Sequence, residues 1–196
     1  MRKLILCSAL FIYAQSVICQ QTSLNQFNIE RQRISKKGLK ILSAYSIASI
    51  IYGSIASSNT TGSNKYFHKM NVIWNGVTLG IVGIGTIFSK KEKVLSFGGS
   101  LKKQSEIEKI FLFNAGLDLA YIAGGAYLKE RSKTSANNPL RLKGYGQSVI
   151  FQGAVLLLFD GIMYSIHNTH GKILNALVDK MTVQTTENGI GLVIKL

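Results

Sequence analysis

The sequence predicts an all-α fold, a bundle of four transmembrane helices arranged as two helical hairpins. Four windows lack Lys and Arg entirely, although the chain carries 23 basic residues against 9 acidic ones. These windows are residues 41–57, 71–88, 110–128 and 145–166. Each is 17 to 22 residues long, and a helix that rises ~1.5 Å per residue needs about 20 residues to cross ~30 Å of hydrocarbon. A soluble helical protein is the alternative, because periodicity alone does not separate buried helices from membrane spans.

An internal similarity between the windows supports the hairpin arrangement. Residues 72–76 (VIWNG) match residues 149–153 (VIFQG), and residues 48–53 resemble residues 120–125. Two hairpins of common origin would explain both matches and would share one orientation in the membrane, with chance similarity as the alternative.

The basic residues lie mostly between the windows and give the chain a net charge of +14. Basic residues beside apolar spans typically meet lipid headgroups. No motif typical of RNA- or DNA-binding proteins occurs, so the sequence predicts a lipid membrane as partner and no nucleic acid.

Residues 1–19 have the three parts of a secretory signal peptide. Basic residues precede an apolar run over residues 4–14, and residues that a signal peptidase tolerates follow, which predicts cleavage after Cys19. A lipoprotein cysteine is the weaker alternative, since Ile18 stands where a small residue is needed. Cys7 and Cys19 are the only cysteines, so the processed chain would form no disulfide and no thiolate metal site.

Amphipathic segments are predicted on both sides of a four-helix membrane domain, residues 41–166. Residues 20–40 form a lead-in helix at the membrane interface, with Arg31 among the basic residues off its apolar face. Residues 167–196 form a second interfacial helix and a short β-hairpin that turns at residues 187–189.

Two topology signals disagree. A cleaved signal peptide places residues 20–40 outside the cytoplasm, and four spans then place fourteen basic residues on that side and seven on the other. The positive-inside rule predicts the reverse. We favour the signal peptide because its three parts occur together, and the sidedness of the loops stays open.

Four short motifs carry a resemblance to a known family. They are residues 65–71 (KYFHKMN), 113–118 (FNAGLD), 121–128 (YIAGGAYL) and 142–146 (LKGYG). With these motifs the mature chain resembles a family of uncharacterised membrane proteins of the Bacteroidota type, a domain of unknown function. The resemblance implies a signal peptide, about four spans and a strand-like tail, and it implies no activity.

Asp118 and Asp160 are the only acidic residues inside the windows. A charged carboxylate at mid-bilayer costs at least ~2.5–3.5 kcal/mol, so such groups normally face the bundle and are paired or protonated. Asn114 lies one helical turn from Asp118, and the antiparallel windows place Asp160 at a similar depth. We predict one intramembrane polar cluster, which serves either as hydrogen-bonding contact between helices or as a proton or cation relay.

A second polar level is predicted from Asn71, Asn75 and Gln152, with helix contact as the default role. Small-residue stripes are predicted to pack helices together or to contact another copy of the chain. The stripes are Gly76, Gly80 and Gly83 in the second window and Ala120 and Gly124 in the third.

The sequence favours neither a metal site nor an enzyme. His167 and His170 are three residues apart without a neighbouring Cys or acid. His68 precedes the second window and His167 follows the fourth, so the four-span arrangement places them on opposite faces of the membrane. No nucleophile motif, phosphate-binding glycine loop or cofactor site is recognisable. The histidines are therefore predicted to be interfacial.

The sequence predicts an integral membrane protein with a structural or accessory role in a bacterial envelope membrane, the inner membrane being favoured over the outer. A membrane protein or a second copy of the chain is the expected partner. The alternative is a small proton- or cation-coupled transporter that uses Asp118 and Asp160.

Overall fold

The computed structural model of the chain contains four helices, and it describes the backbone of residues 2–88, 94–179, 181–186 and 189–194. The helices are α1 (Arg2–Asn59), α2 (Gly62–Phe88), α3 (Phe97–Arg131) and α4 (Pro139–Asp179), followed by strands β1 (Met181–Thr186) and β2 (Gly189–Ile194). Side chains are described for residues 24–86 and 94–176. Each predicted window lies within one helix, which confirms the helical fold.

The burial pattern is inverted relative to a protein that folds in water. Large apolar side chains face outward along the helices: Ile51 is 58% exposed, Val77 60% and Leu158 68%. Polar side chains fill the interior instead, with Asn75 at 0% and Gln152 at 1%. Water would penalise both features, whereas hydrocarbon favours an apolar exterior and satisfies no polar group there. The burial pattern therefore fits hydrocarbon surroundings better than water.

Three helices of the described part are long and apolar enough to cross a membrane. These are Leu24–Asn59, Phe97–Arg131 and Pro139–Ala176. The second predicted span, residues 71–88, lies in α2, but the side chains of residues 87 and 88 lie outside the described residues. Four helices are thus present in the described part, and the span predicted in α2 stays a prediction.

The residues at the helix ends are of types that favour the start of a helix. Asn59 ends α1, and Gly62, with φ of 62°, opens α2 after two linking residues. Ser96 caps α3, its Oγ accepting the Gly99 N–H at 3.2 Å. Pro139 occupies the first position of α4, where its missing N–H costs no hydrogen bond.

Glycines set several close helix contacts, but they are not the glycines that the stripes predict. A Cβ on Gly125 of α3 would lie 2.7 Å from the Gly146 oxygen of α4, and one on Gly146 would lie 2.6 Å from the Gly125 oxygen. The predicted positions Gly76, Gly80, Gly83 and Gly124 have open space at the Cβ position. The prediction that they pack helices within the chain is therefore wrong, because they lie on outward faces.

The segments on both sides of the predicted membrane domain are continuous with its helices. The predicted boundaries after residues 19 and 40 both fall inside α1, and the predicted second interfacial helix is the end of α4. Arg31 is fully buried rather than directed away from the bundle, which corrects the prediction for this residue. The side chains of residues 1–23, and thus those of the predicted signal peptide, lie outside the described residues.

The two strands pair antiparallel, with Met181 opposite Ile194 and Thr186 opposite Gly189. Residues 187 and 188, at the predicted turn, lie outside the described residues. The hairpin turn therefore stays a prediction.

Candidate functional site

Buried polar side chains occur at three levels along one face of α4. Gln152, Asp160 and His167 are 1%, 6% and 0% exposed. Their spacings of eight and seven residues are close to two helical turns, which keeps all three on the same side of the helix. Each level collects polar partners from other helices, so α4 is the organising helix of the interior.

The middle level is the acid pair, Asp118 of α3 and Asp160 of α4. Asp118 is 2% exposed and Asp160 6%, and the two carboxyl groups are near enough to interact. The structure thus brings together the two acids that the sequence places at one depth.

The approach of the two helices at the acid pair depends on Gly153. A Cβ at this position would lie 3.0 Å from the Asp118 backbone oxygen and 2.9 Å from Cγ1 of Ile122. The Oδ2 atom of Asp118 is buried and has no hydrogen-bond partner in the described part of the chain. Asn114 is half-exposed and forms no described hydrogen bond with either carboxyl group, so it does not complete the predicted cluster.

The amide set lies at one end of the bundle and joins three helices. Gln152 donates from Nε2 to Oδ1 of Asn71, which also accepts the Ser148 hydroxyl at 3.2 Å. Tyr45 of α1 donates its hydroxyl to Oε1 of Gln152 at 3.2 Å. Asn75, fully buried, donates to the Asn71 backbone oxygen at 2.9 Å. We use the name amide set for these five residues.

The sequence predicts three members of the amide set and misses Tyr45 and Ser148. A signal for Ser148 exists, since it precedes Gln152 by one helical turn on the same face. Tyr45 gives no such signal, because its partner lies 107 residues away.

The histidine set lies at the other end and was missed by the sequence analysis. On α1 and α3, Asn28 donates to Oγ of Ser100 at 2.8 Å, and the buried Arg31 donates to the Ser100 backbone oxygen at 3.3 Å. Gln104 of α3 donates from Nε2 to the His167 backbone oxygen at 2.6 Å and to Glu108 at 2.8 Å. The set consists of Asn28, Arg31, Ser35, Ser100, Gln104, Glu108, His167 and His170.

Both histidines of this set are held by an aromatic ring and a polar group. His167 stacks on Phe111 with ring centroids 5.5 Å apart, and its Nε2 lies 3.2 Å from Oγ of Ser35. His170 stacks on Phe27 at 4.2 Å, with Nε2 3.1 Å from the Phe27 backbone oxygen. His167 is fully buried within the bundle, and its position at the membrane interface stays a prediction.

Metal coordination has no support in the part of the chain that the structure describes. No group of three or more His, Cys, Asp or Glu side chains there is arranged to hold an ion. His68, on α2, lies against Tyr52 and Phe67 rather than near the other two histidines.

Apolar stretches separate the three levels. Gln152 and Asp160 are ~12 Å apart along α4, and Asp160 and His167 are ~10 Å apart, at ~1.5 Å per residue. Hydrogen bonds span ~3 Å, and none of the described ones joins one level to the next. Within the amide set and the histidine set, by contrast, direct hydrogen bonds cross from helix to helix.

Comparison with known proteins gives a family but no activity. No curated protein and no solved structure matches the chain. Residues 41–161, more than half of the chain, match the model described as a family of unknown function, DUF6992, and the chain belongs to that family.

Proposed function

We propose that the protein is a structural or accessory component of a bacterial envelope membrane, with lipid and a second membrane protein or another copy of the chain as its partners. The observation that carries this proposal is the separation of the three buried polar levels. Each level connects helices directly, while ~10–12 Å of apolar helix lies between levels. Such an arrangement favours stable association of helices over conduction along the bundle.

The exterior supports the accessory role. Apolar side chains cover the middle of the helices, and Ile81, Phe113 and Tyr127 are each more than 60% exposed. An all-helical span favours the inner over the outer membrane. We expect no catalysis by the chain itself, because the buried polar groups mostly bond to one another instead of converging on a cavity.

Native mass spectrometry of the untagged protein, extracted mildly from its own membrane, tests this proposal. We expect a larger protein partner or a defined homo-oligomer in stable ratio, and we expect the complex to survive Asp118→Asn. A protein that is monomeric under all mild conditions would contradict the accessory role.

A proton or cation carrier is the second candidate, favoured by the buried Oδ2 atom of Asp118, which lacks a described partner. Buried carboxyl groups inside a membrane bundle are the groups that proton relays use. This function requires water between the levels, because the ~10–12 Å intervals exceed any direct hydrogen bond.

Liposome flux measurements separate the two candidates. A carrier loses pH-driven flux in Asp118→Asn and keeps it in the matched control Asn114→Ala, since Asn114 lies one turn away outside the acid pair. Equal flux in wild type and Asp118→Asn would eliminate the carrier.

A further inference from the structure

A groove between α1 and α2 is a feature of the described surface that the buried polar levels leave unused. It has a volume of about 610 Å³, which falls within the ~300–1,000 Å³ of typical ligand sites. We call it the α1–α2 groove and define it by Lys36, Leu39, Lys40, Ile47, Val82 and Thr86.

The walls of the α1–α2 groove are effectively apolar even at the positions of its two hydroxyl residues. Ser43, also on its α1 wall, donates its hydroxyl to the Leu39 backbone oxygen at 2.8 Å, and Thr86 donates to the Val82 oxygen at 2.8 Å. Both hydroxyls are thus satisfied by their own helices. The groove offers an occupant methyl and methylene groups and demands no hydrogen bond from it.

Charge is confined to one end of the groove. Lys36 and Lys40 are exposed, lie one helical turn apart and therefore face the same side of α1. From Lys36 to Ile47 the groove runs ~16 Å along α1, about half of the ~30 Å hydrocarbon core. A cationic end followed by one leaflet's depth of apolar wall matches the shape of a phospholipid.

We infer that the α1–α2 groove binds one anionic phospholipid. Its phosphate lies between Lys36 and Lys40, and one acyl chain follows the wall formed by Leu39, Ile47 and Val82. The inference rests on the proposed membrane location. It adds a defined lipid site, with a preference for negative headgroups, to the general contact with lipid that any membrane helix makes.

The test uses the full chain in vesicles of equal phosphatidylglycerol and phosphatidylcholine, followed by native mass spectrometry of the lipids that the protein retains. We expect phosphatidylglycerol to be retained about thirtyfold over phosphatidylcholine, given the ~1 kcal/mol that each of the two lysines contributes near an anionic headgroup. The double variant Lys36→Gln/Lys40→Gln should reduce the ratio to about one.

Two further variants make the result specific to the groove. Lys65→Gln/Lys69→Gln removes the same charge from the start of α2, at the other end of the α1–α2 pair, and should leave the preference intact. Ala44→Trp fills the α1–α2 groove, of which Ala44 is a wall residue, and should abolish retention while both lysines remain. Equal effects of the two lysine pairs, retention in Ala44→Trp, or a protein helix found in place of lipid would each overturn the inference.

Vesicle flotation keeps this outcome separate from the broader proposal. A protein that floats with vesicles but shows no headgroup preference refutes the lipid site and leaves the membrane role standing. A protein that does not float refutes both.

Discussion

Both helical hairpins pack through a glycine, but the helices of the second hairpin (α3 and α4) approach more closely than those of the first (α1 and α2). In the second hairpin, Gly125 and Gly146 face each other, and a Cβ on either would lie within 2.7 Å of the other's backbone oxygen. In the first, Gly53 of α1 lies against Val72 of α2, where an added Cβ would meet Cγ2 at 2.9 Å. Backbone meets backbone in one hairpin, and backbone meets side chain in the other.

This difference has consequences for what each hairpin can hold. Close approach of α3 and α4 brings Asp118 and Asp160 together away from solvent. The first hairpin instead opens into the α1–α2 groove at Val82, and α2 bonds to α4 through Asn71. We therefore expect the second hairpin to be the rigid half of the bundle and the first, which contains the groove, to be the open half.

Substitution of Gly146 should break the rigid half. Gly146→Leu places a side chain where the Gly125 oxygen and the Lys129 nitrogen lie within 2.7 Å of an added Cβ, so the helices must separate. We expect a loss of about 3 kcal/mol in the free energy of unfolding, the upper end for overpacking. Thermal unfolding in detergent measures it.

Gly124→Leu is the matched control, because Gly124 lies on the same segment of α3 with open space at its Cβ. It should unfold at or above the wild-type temperature, since Leu is a better helix former than Gly. Equal destabilisation by both variants would contradict the close contact.

The connection between the halves should be the next most sensitive feature. Asn71→Leu removes the acceptor of Gln152 and Ser148, leaving buried donors without a partner. Each such group costs ~1–3 kcal/mol, so we expect about 2 kcal/mol of destabilisation by chemical denaturation. Thr78→Leu, a half-exposed site on the same helix, should change stability by less than about 0.5 kcal/mol.

The sequence predicts the helices well because a long window without Lys or Arg is what a helix needs to lie in hydrocarbon. It also identifies the acid pair, since two acids at matched depths on antiparallel helices have few other partners. Asn114 shows the limit of this reasoning: helical spacing places it on the face of Asp118, but side-chain packing leaves it half-exposed.

Other features of the interior depend on contacts that no local pattern encodes. Gly124 and Gly125 are adjacent, about 100° apart around the helix, and only the second meets α4. Arg31 looks like a solvated charge in sequence, yet it is buried because its guanidinium reaches a backbone oxygen 69 residues away. Both cases require knowledge of the partner helix.

The first hairpin should tolerate substitution of its contact glycine better than the second hairpin does. Gly53→Ala brings a Cβ against a Val72 methyl, which can rotate, and 3.2 Å from the His68 oxygen. We expect destabilisation of about 1 kcal/mol, below that of Gly146→Ala measured under the same conditions. A larger effect at Gly53 would reverse the assignment of rigid and open halves.

The smallest effect is expected on the outward stripe of α2. Gly80 has open space at its Cβ, so Gly80→Ala should stabilise the isolated chain by up to about 1 kcal/mol through helix propensity alone. Gly80 is also where another copy or a partner helix would approach closely, as small residues permit in membranes. If the stripe is an interface, Gly80→Ala should therefore raise the stability of the isolated chain and lower the amount of complex. Unfolding measures the first effect, and native mass spectrometry measures the second. An unchanged complex would place the partner on another face of the bundle.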